Sequence, residues 1–128
     1  MMAAVGVGGA IVAELRYRFS LSARAGIFCV NGPLTTLVVN DAGSTLMGCL
    51  SGSVVGGMVL PQACRGFLAF GVLAALTTFS SFTLDAGQLW QRKGVMMAAV
   101  YVVVSVVLSL VAFWAMFLVA RHSGGIWQ

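Results

Sequence analysis

The chain has 128 residues, of which 60% are hydrophobic and 8% are charged, whereas about a quarter of residues are charged in an ordinary soluble domain. Its formal charge of +4 comes from seven basic and three acidic residues. The basic residues lie almost entirely between apolar stretches, which is typical of residues that anchor a protein at a membrane interface. We therefore expect an integral membrane protein that is not an enzyme and binds neither nucleotide nor nucleic acid.

Four membrane spans account for nearly the whole chain. The stretches 42–64, 66–84 and 94–120 contain no Asp, Glu, Lys or Arg, and each has about the ~20 residues that a bilayer crossing needs. A fourth stretch, 1–13, is shorter, but the charged residues that follow it can extend it by reaching toward the headgroups. We predict one all-α integral membrane domain over residues 1–128, with spans over residues 1–19, 34–59, 66–90 and 94–120.

Span two carries a stripe of small and polar residues at every fourth position, which places them along one helix face. Its glycines predict a face that lets a neighbouring backbone approach closely. Asn40 has a carboxamide whose two N–H donors can serve either a helix contact or a dehydrated ion, and both interpretations stay open. Asp41 lies beside this stripe, where an acid is costly in a membrane. The stripe consists of Thr36, Asn40, Ser44, Gly48, Gly52 and Gly56.

Span three contains five hydroxyl side chains around two phenylalanines within residues 76–83. Ser and Thr hydroxyls compete for backbone hydrogen bonds, so this composition favours an interrupted helix. Phe79 and Phe82 are three residues apart and share a helix face. They suit either core packing or the lining of an anion path, because an aromatic ring is electropositive at its edge.

Span four places Tyr101, Ser105 and Ser109 on one face of a helix rich in Val and Leu. Each hydroxyl can donate to a passing anion or to the carbonyl four residues earlier in its own helix. Spans two to four together offer neutral donors and ring edges, which suit a small anion that must lose its water without being trapped. Four short helices fill their own core, so we expect the path to lie between subunits of a homo-oligomer, most simply a dimer.

Orientation in the membrane is only weakly determined by the charges. Four spans put both termini on one side, and the basic residues divide five to two between the two sides, which leaves insertion in both orientations open. One side has Arg16, Arg18, Arg24, Arg92 and Lys93, and the other has Arg65 and Arg121.

The chain resembles the CrcB/Fluc family of fluoride channels over essentially its whole length. The resemblance is carried by Leu15-Arg16-Tyr17, by Val39-Asn40 followed by Gly43-Ser44, and by Thr77-Thr78-Phe79-Ser80-Ser81-Phe82. It implies a passive, fluoride-selective channel of the bacterial inner (plasma) membrane that lowers fluoride toxicity. It also implies a third helix broken mid-membrane and a dual-topology dimer of antiparallel subunits with two pores.

The same resemblance implies roles for individual residues. Phe79 and Phe82 become the rings that contact fluoride, and Asn40 becomes the amide that donates to it. Arg16 becomes a vestibule residue that draws anions. The surrounding hydroxyls are those of Thr36, Ser80, Ser81, Tyr101, Ser105 and Ser109.

A sodium ion at the dimer interface is also implied by the resemblance, held by the backbone carbonyls of Ala74 and Thr77. The sequence departs from the family's pattern at four positions, one of which is Asp41, where an apolar residue is expected. Ala74 and Ala75 stand where the family has glycine, and Asp85 stands where it has glutamate.

A second interpretation is a proton-coupled exporter similar to the small multidrug resistance family, which also has four short spans and an essential glutamate in the first. Glu14 would be that acid. Glu14 and Arg18 are four residues apart, however, which is the spacing of an ion pair on one helix face. The exporter predicts flux that depends on a proton gradient and on Glu14, and the channel predicts passive flux that depends on Phe79, Phe82 and Asn40.

Overall fold

The computed structural model describes residues 2–24 and 32–124, and these residues form five helices without a strand. The first two helices are α1 (Met2–Arg24) and α2 (Gly32–Val55). Residues 62–76 form α3, and α4 (Phe79–Lys93) and α5 (Val95–Gly124) follow. The prediction of an all-α protein is confirmed for the described residues.

Helix α3 changes its winding along its length. It is an α-helix over Gln62–Gly66, a π-helix over Phe67–Leu73 and an α-helix again over Ala74–Leu76. In the π-helical part, the N–H of Ala74 donates to the carbonyl of Ala69, five residues earlier. Each wider π-turn shifts the residues that follow around the helix axis, and such turns are frequent near functional sites.

The end of α2 comes four residues before the predicted end of span two, because a glycine cap stops the helix. Gly57 has a φ of 106°, which is the left-handed region that glycine adopts without strain. The N–H of Met58 donates to Ser53 at 2.9 Å and the N–H of Gly57 donates to Val54 at 3.3 Å, the pair of hydrogen bonds of a Schellman cap. Gly56 therefore lies in the cap, at the end of the predicted packing stripe.

The glycine stripe of α2 packs against α5 of the same chain. Gly48 and Gly52 are buried, and a Cβ atom at either position would collide with the backbone carbonyl of Phe113 or Phe117, respectively. Both partners advance by four residues, so α2 and α5 run in the same direction. The close-packing face is confirmed, and its partner is a helix of the same chain, so it does not bear on the expected homo-oligomer.

A second close contact joins α1 to α3. A Cβ atom at Gly71 would lie 3.2 Å from the Cα atom of Val5, and a Cβ atom at Gly8 would press on the ring of Phe67. The π-helical part of α3 thus packs closely against α1, because the glycines have no side chain to separate the two backbones.

The surface of the described residues is largely apolar. Two stretches, Gln62–Lys93 and Val95–Ser123, are long and apolar enough to cross a membrane. Helix α5 exposes Val103, Val111 and Leu118, and no large side chain of the described residues is completely buried. A single chain therefore has little core of its own, which suits contact with lipid or with another subunit.

Candidate functional site

Two residues in extended conformation, Thr77 and Thr78, separate α3 from α4, and we call them the two-residue linker. Thr77 has φ −78° and ψ 148°, and Thr78 has φ −147° and ψ 119°. The Oγ1 atom of Thr78 accepts a hydrogen bond from the N–H of Ser81 at 3.3 Å, so Thr78 is the N-cap that starts α4. A hydroxyl of this Ser- and Thr-rich segment, that of Thr78, therefore caps the first turn of α4.

The side chain of Asn40, on α2, holds the two-residue linker. Its Oδ1 atom accepts from the N–H of Thr78 at 2.9 Å, and its Nδ2 atom donates to the carbonyl of Thr78 at 3.3 Å. The carboxamide thereby gives the backbone N–H and C=O of Thr78 the hydrogen-bond partners that they would have in a continuous helix. One of the two Nδ2 hydrogens is enough for this bond, and the other remains for a further acceptor.

Gly43 makes room for the two-residue linker on the same face of α2. It is buried, and a Cβ atom there would collide with the Cγ2 atom of Thr77. Asn40 and Gly43 therefore act together, since one binds the linker and the other lets it approach.

Three aromatic rings form a row next to the two-residue linker. The ring centroids of Phe79 and Phe82 are 5.5 Å apart, and those of Phe82 and Tyr101 are also 5.5 Å apart. Phe82 and Tyr101 are buried, whereas Phe79 is 77% exposed. The row thus runs from the interior of the chain, between α4 and α5, to its surface.

Two predicted hydroxyls are buried without a hydrogen-bond partner. Within the described residues, no group meets the full distance and angle requirements of a hydrogen bond to the OH of Tyr101 or the Oγ of Ser105, although these two hydroxyls interact with each other. The interpretation in which Ser105 donates to its own helix is wrong, whereas Thr45 does bond in this way, to the carbonyl of Asp41 at 2.8 Å. An unpaired buried hydroxyl is costly, so these two positions favour an external acceptor.

The other predicted hydroxyls lie at different depths. Ser80 is exposed, and its Oγ atom lies 3.0 Å from the Oγ1 atom of Thr78. Ser81 is half-buried at the start of α4, where its N–H donates to the Oγ1 atom of the N-cap residue Thr78. Thr36 and Ser109 are half-buried on α2 and α5, respectively.

A cavity of about 780 Å³ lies between the start of α2, α4 and the first half of α5. Tyr101 lines it, which connects the row of rings to the cavity, and so do Asp85, Gln88, Arg92 and Lys93. The lining has two basic side chains and one acidic side chain, so its net charge is positive and attracts anions. The predicted vestibule residue, Arg16, is half-buried on α1 and does not belong to this lining.

The polar side of the cavity was not predicted. Asp85, Gln88 and Arg92 follow one another at three and four residues along α4, and this helical spacing was the available signal. One carboxylate oxygen of Asp85 and one of Asp41 are buried, and neither has a hydrogen-bond partner within the described part of the chain. Each of these two oxygen atoms is therefore unsatisfied among the described residues.

The carbonyls predicted to hold sodium lie at the end of α3. In a continuous helix, the carbonyl of Ala74 would accept from the N–H of Thr78, but that N–H donates to Asn40. Ala74 is exposed, and the hydroxyl of Thr77 lies 3.5 Å from its carbonyl oxygen. Oxygen atoms at an unwound helix C-terminus are suitable ligands for sodium, so the residues present fit the ion.

Glu14 forms the predicted ion pair. Its Oε1 atom accepts from the Nε of Arg18 at 2.8 Å, and both side chains are exposed, by 58% and 73% respectively. The ion pair is confirmed, and it accounts for the charge of Glu14 without a role in proton coupling. The exporter interpretation gains no support.

Comparisons with known proteins agree on one family. The family model described as "CrcB-like protein, Camphor Resistance (CrcB)" matches residues 3–117. A fluoride-specific ion channel FluC of Methylobacterium sp. (strain 4-46) is 39% identical over 121 residues, which cover 93% of this chain and 91% of the relative. The FluC of Paracoccus denitrificans is 41% identical over 119 residues, covering 91% of each chain. No solved structure matches the chain.

Proposed function

The chain belongs to the CrcB-like protein family, and we propose that it is a fluoride-selective channel through which cytoplasmic fluoride leaves the cell passively. Relatives that match about nine-tenths of the chain are named fluoride-specific ion channels. Such a channel lowers fluoride toxicity without an energy source, and its place is the bacterial inner membrane, which the chain crosses four times.

The observation that carries this proposal is the continuity between the cavity and the row of rings. Tyr101 lines the cavity and contacts Phe82, which in turn contacts the exposed Phe79. An anion that enters past Arg92 and Lys93 passes Asp85, whose charge acts on Tyr101, and meets the Tyr101 hydroxyl and the ring edges. This order of groups suits the gradual removal of water from a small anion.

The pore chemistry is that of neutral donors. The free Nδ2 hydrogen of Asn40 and the hydroxyls of Tyr101 and Ser105 donate to fluoride, while the edges of Phe79 and Phe82 supply weakly positive C–H groups. Because these groups are neutral and are not basic side chains, the ion is held only weakly and moves on. The remaining donors along the path are Thr36, Ser80, Ser81 and Ser109.

The working unit is a dimer of antiparallel subunits with two pores. Phe79 is 77% exposed in one chain, so the ring row reaches the surface where a second subunit completes the path. The lack of completely buried large side chains supports the same conclusion. The five-to-two distribution of basic residues permits insertion in both orientations, as dual topology requires.

A sodium ion fits the dimer interface, where the carbonyls of Ala74 and Thr77 would hold it. Bound there, it would supply a positive charge beside the two-residue linker, which we place mid-membrane. Arg16, on α1, would draw anions toward a vestibule.

Passive fluoride efflux from liposomes tests the proposed function. The purified dimer is reconstituted with potassium fluoride inside, a potassium ionophore is added, and efflux is followed with a fluoride electrode beside vesicles loaded with potassium chloride. We expect rapid fluoride efflux, little chloride efflux and no dependence on a proton gradient. Fluoride efflux at the rate of protein-free liposomes from a verified dimer would contradict the proposal, as would flux that requires a proton gradient.

A further inference from the structure

A second cavity, of about 400 Å³, lies between the last turns of α2 and the first turns of α3. It is separate from the cavity that Tyr101 lines. Its walls are mostly apolar, and the polar groups among its lining residues belong to Ser51, Gln62 and Arg65. Phe70, on its wall, is 68% exposed, so the cavity opens at the apolar surface of the chain.

Arg65 is a cation that the described protein leaves unneutralised. It is exposed, and no carboxylate of the described residues lies within ion-pair distance of it. In the sequence it is the single charged residue between Asp41 and Asp85. It also belongs to the first turn of the apolar stretch Gln62–Lys93, and this position puts its guanidinium at the depth of the lipid headgroups.

The segment that connects α2 to α3 lies at the same end of the molecule and is apolar. Met58 and Val59 are 51% and 95% exposed, respectively, directly after the glycine cap of α2. Side chains of this kind are stable at the boundary between headgroups and acyl chains. The cavity therefore opens at the level where a phospholipid changes from polar to apolar.

We propose that this cavity binds one anionic phospholipid. The guanidinium of Arg65 donates to the phosphate, since arginine matches the geometry of phosphate oxygens, and the amide of Gln62 adds a hydrogen bond. An acyl chain lies along the wall formed by Val54, Ala69 and Phe70. A headgroup of net negative charge is preferred over a zwitterionic one because no acid of the described protein balances Arg65. This lipid site does not depend on the proposed fluoride channel.

Native mass spectrometry of the full-length dimer tests the site. The protein is transferred to detergent with equal amounts of phosphatidylglycerol and phosphatidylcholine, and the retained lipids are counted. We expect the wild type to retain phosphatidylglycerol preferentially, and Arg65→Gln to lower that preference about fivefold, the effect of one basic residue at an anionic surface. Arg121→Gln, which removes an exposed arginine outside the cavity, is the matched control and should keep the preference.

A second variant, Ala69→Leu, fills the apolar wall and leaves Arg65 in place. We expect it to reduce retention of both lipids. The proposal is overturned if Arg65→Gln retains lipid like the wild type, or if Arg121→Gln has an equal effect, which would indicate a diffuse charge effect. Displacement of the lipid by excess inorganic phosphate would show a site for free anions instead. If Ala69→Leu shifts the dimer toward monomer without changing lipid retention, the cavity is a subunit contact and the lipid site is wrong.

Discussion

The Oδ1 atom of Asn40 accepts a hydrogen bond of 2.9 Å from the backbone N–H of Thr78, thirty-eight residues further along the chain. The same side chain donates back to the carbonyl of Thr78 at 3.3 Å. One side chain on α2 thus fixes the position at which α3 ends and α4 begins. Because one amide hydrogen remains, Asn40 can hold the two-residue linker and contact an anion at the same time.

Asn40→Asp should lower fluoride flux at least about a hundredfold. The carboxylate still accepts from Thr78, but it loses both amide donors and places a negative charge beside the pore, where repulsion of an anion amounts to several kcal/mol. The measurement is fluoride efflux from liposomes that contain equal amounts of dimer. Thr45→Val is the control, since the Thr45 hydroxyl bonds its own helix, and it should conduct normally. Wild-type flux through the Asn40→Asp variant would remove Asn40 from the pore.

Phe79→Ile and Phe82→Ile should each reduce flux by about tenfold or more, because an aliphatic side chain fills similar space but has no electropositive edge. Size-exclusion chromatography should still show the dimer. Trp114→Leu removes an exposed ring on α5 that is not part of the row and should leave flux unchanged. The ring-edge argument fails if both isoleucine variants conduct like the wild type.

Gly48→Ala should destabilise the protein by about 1–3 kcal/mol, the usual cost of overpacking. The added methyl group would collide with the backbone carbonyl of Phe113, which has no rotamer to change. Gly87→Ala is the matched control. Nothing lies within 4 Å of a Cβ atom at Gly87 in α4, so this change should stabilise by about 0.4–1 kcal/mol. Thermal unfolding in detergent measures both, and equal midpoints would show that α2 and α5 do not pack as described.

Asp41→Asn should leave fluoride flux unchanged or increase it, and should raise the yield of folded dimer. One carboxylate oxygen of Asp41 is buried without a partner in the described part of the chain, and an acid within a span costs about 2.5–3.5 kcal/mol on insertion. Asparagine keeps the shape and removes the charge. Asp41→Glu keeps the charge and should bring no gain. Loss of flux in a well-folded Asp41→Asn dimer would mean that the acid itself takes part in conduction.

Reporter fusions at the C-terminus should show both orientations in the bacterial membrane. The basic residues favour one side by only five to two, and basic charge in short loops is the main determinant of orientation. Paired reporters, one active in the cytoplasm and one outside it, measure the two populations. Adding two lysines directly after Gln128 should shift the ratio toward a cytoplasmic C-terminus. A single orientation in the unmodified chain would contradict dual topology.

The sequence by itself determined the features that depend on neighbours along the chain. Charge-free stretches predicted the helical composition, and the spacing of Glu14 and Arg18 predicted their ion pair, because both patterns act over a few residues. The three-residue spacing of Phe79 and Phe82 predicted their contact for the same reason. The resemblance to the family was also carried by short motifs, whose residues are neighbours along the chain.

Only the tertiary structure decided which distant residues meet. The pairing of Asn40 with Thr78 and the contact of Gly48 with the Phe113 backbone join segments that are far apart in the sequence. The placement of Tyr101 beside Phe82 depends on how two consecutive helices pack. A glycine signals equally a close contact or a helix end, and Gly57 proved to be a helix end because its N–H and left-handed φ close the cap of α2. Local periodicity determines which face of a helix is small or polar, but the packing of all helices together determines what that face contacts.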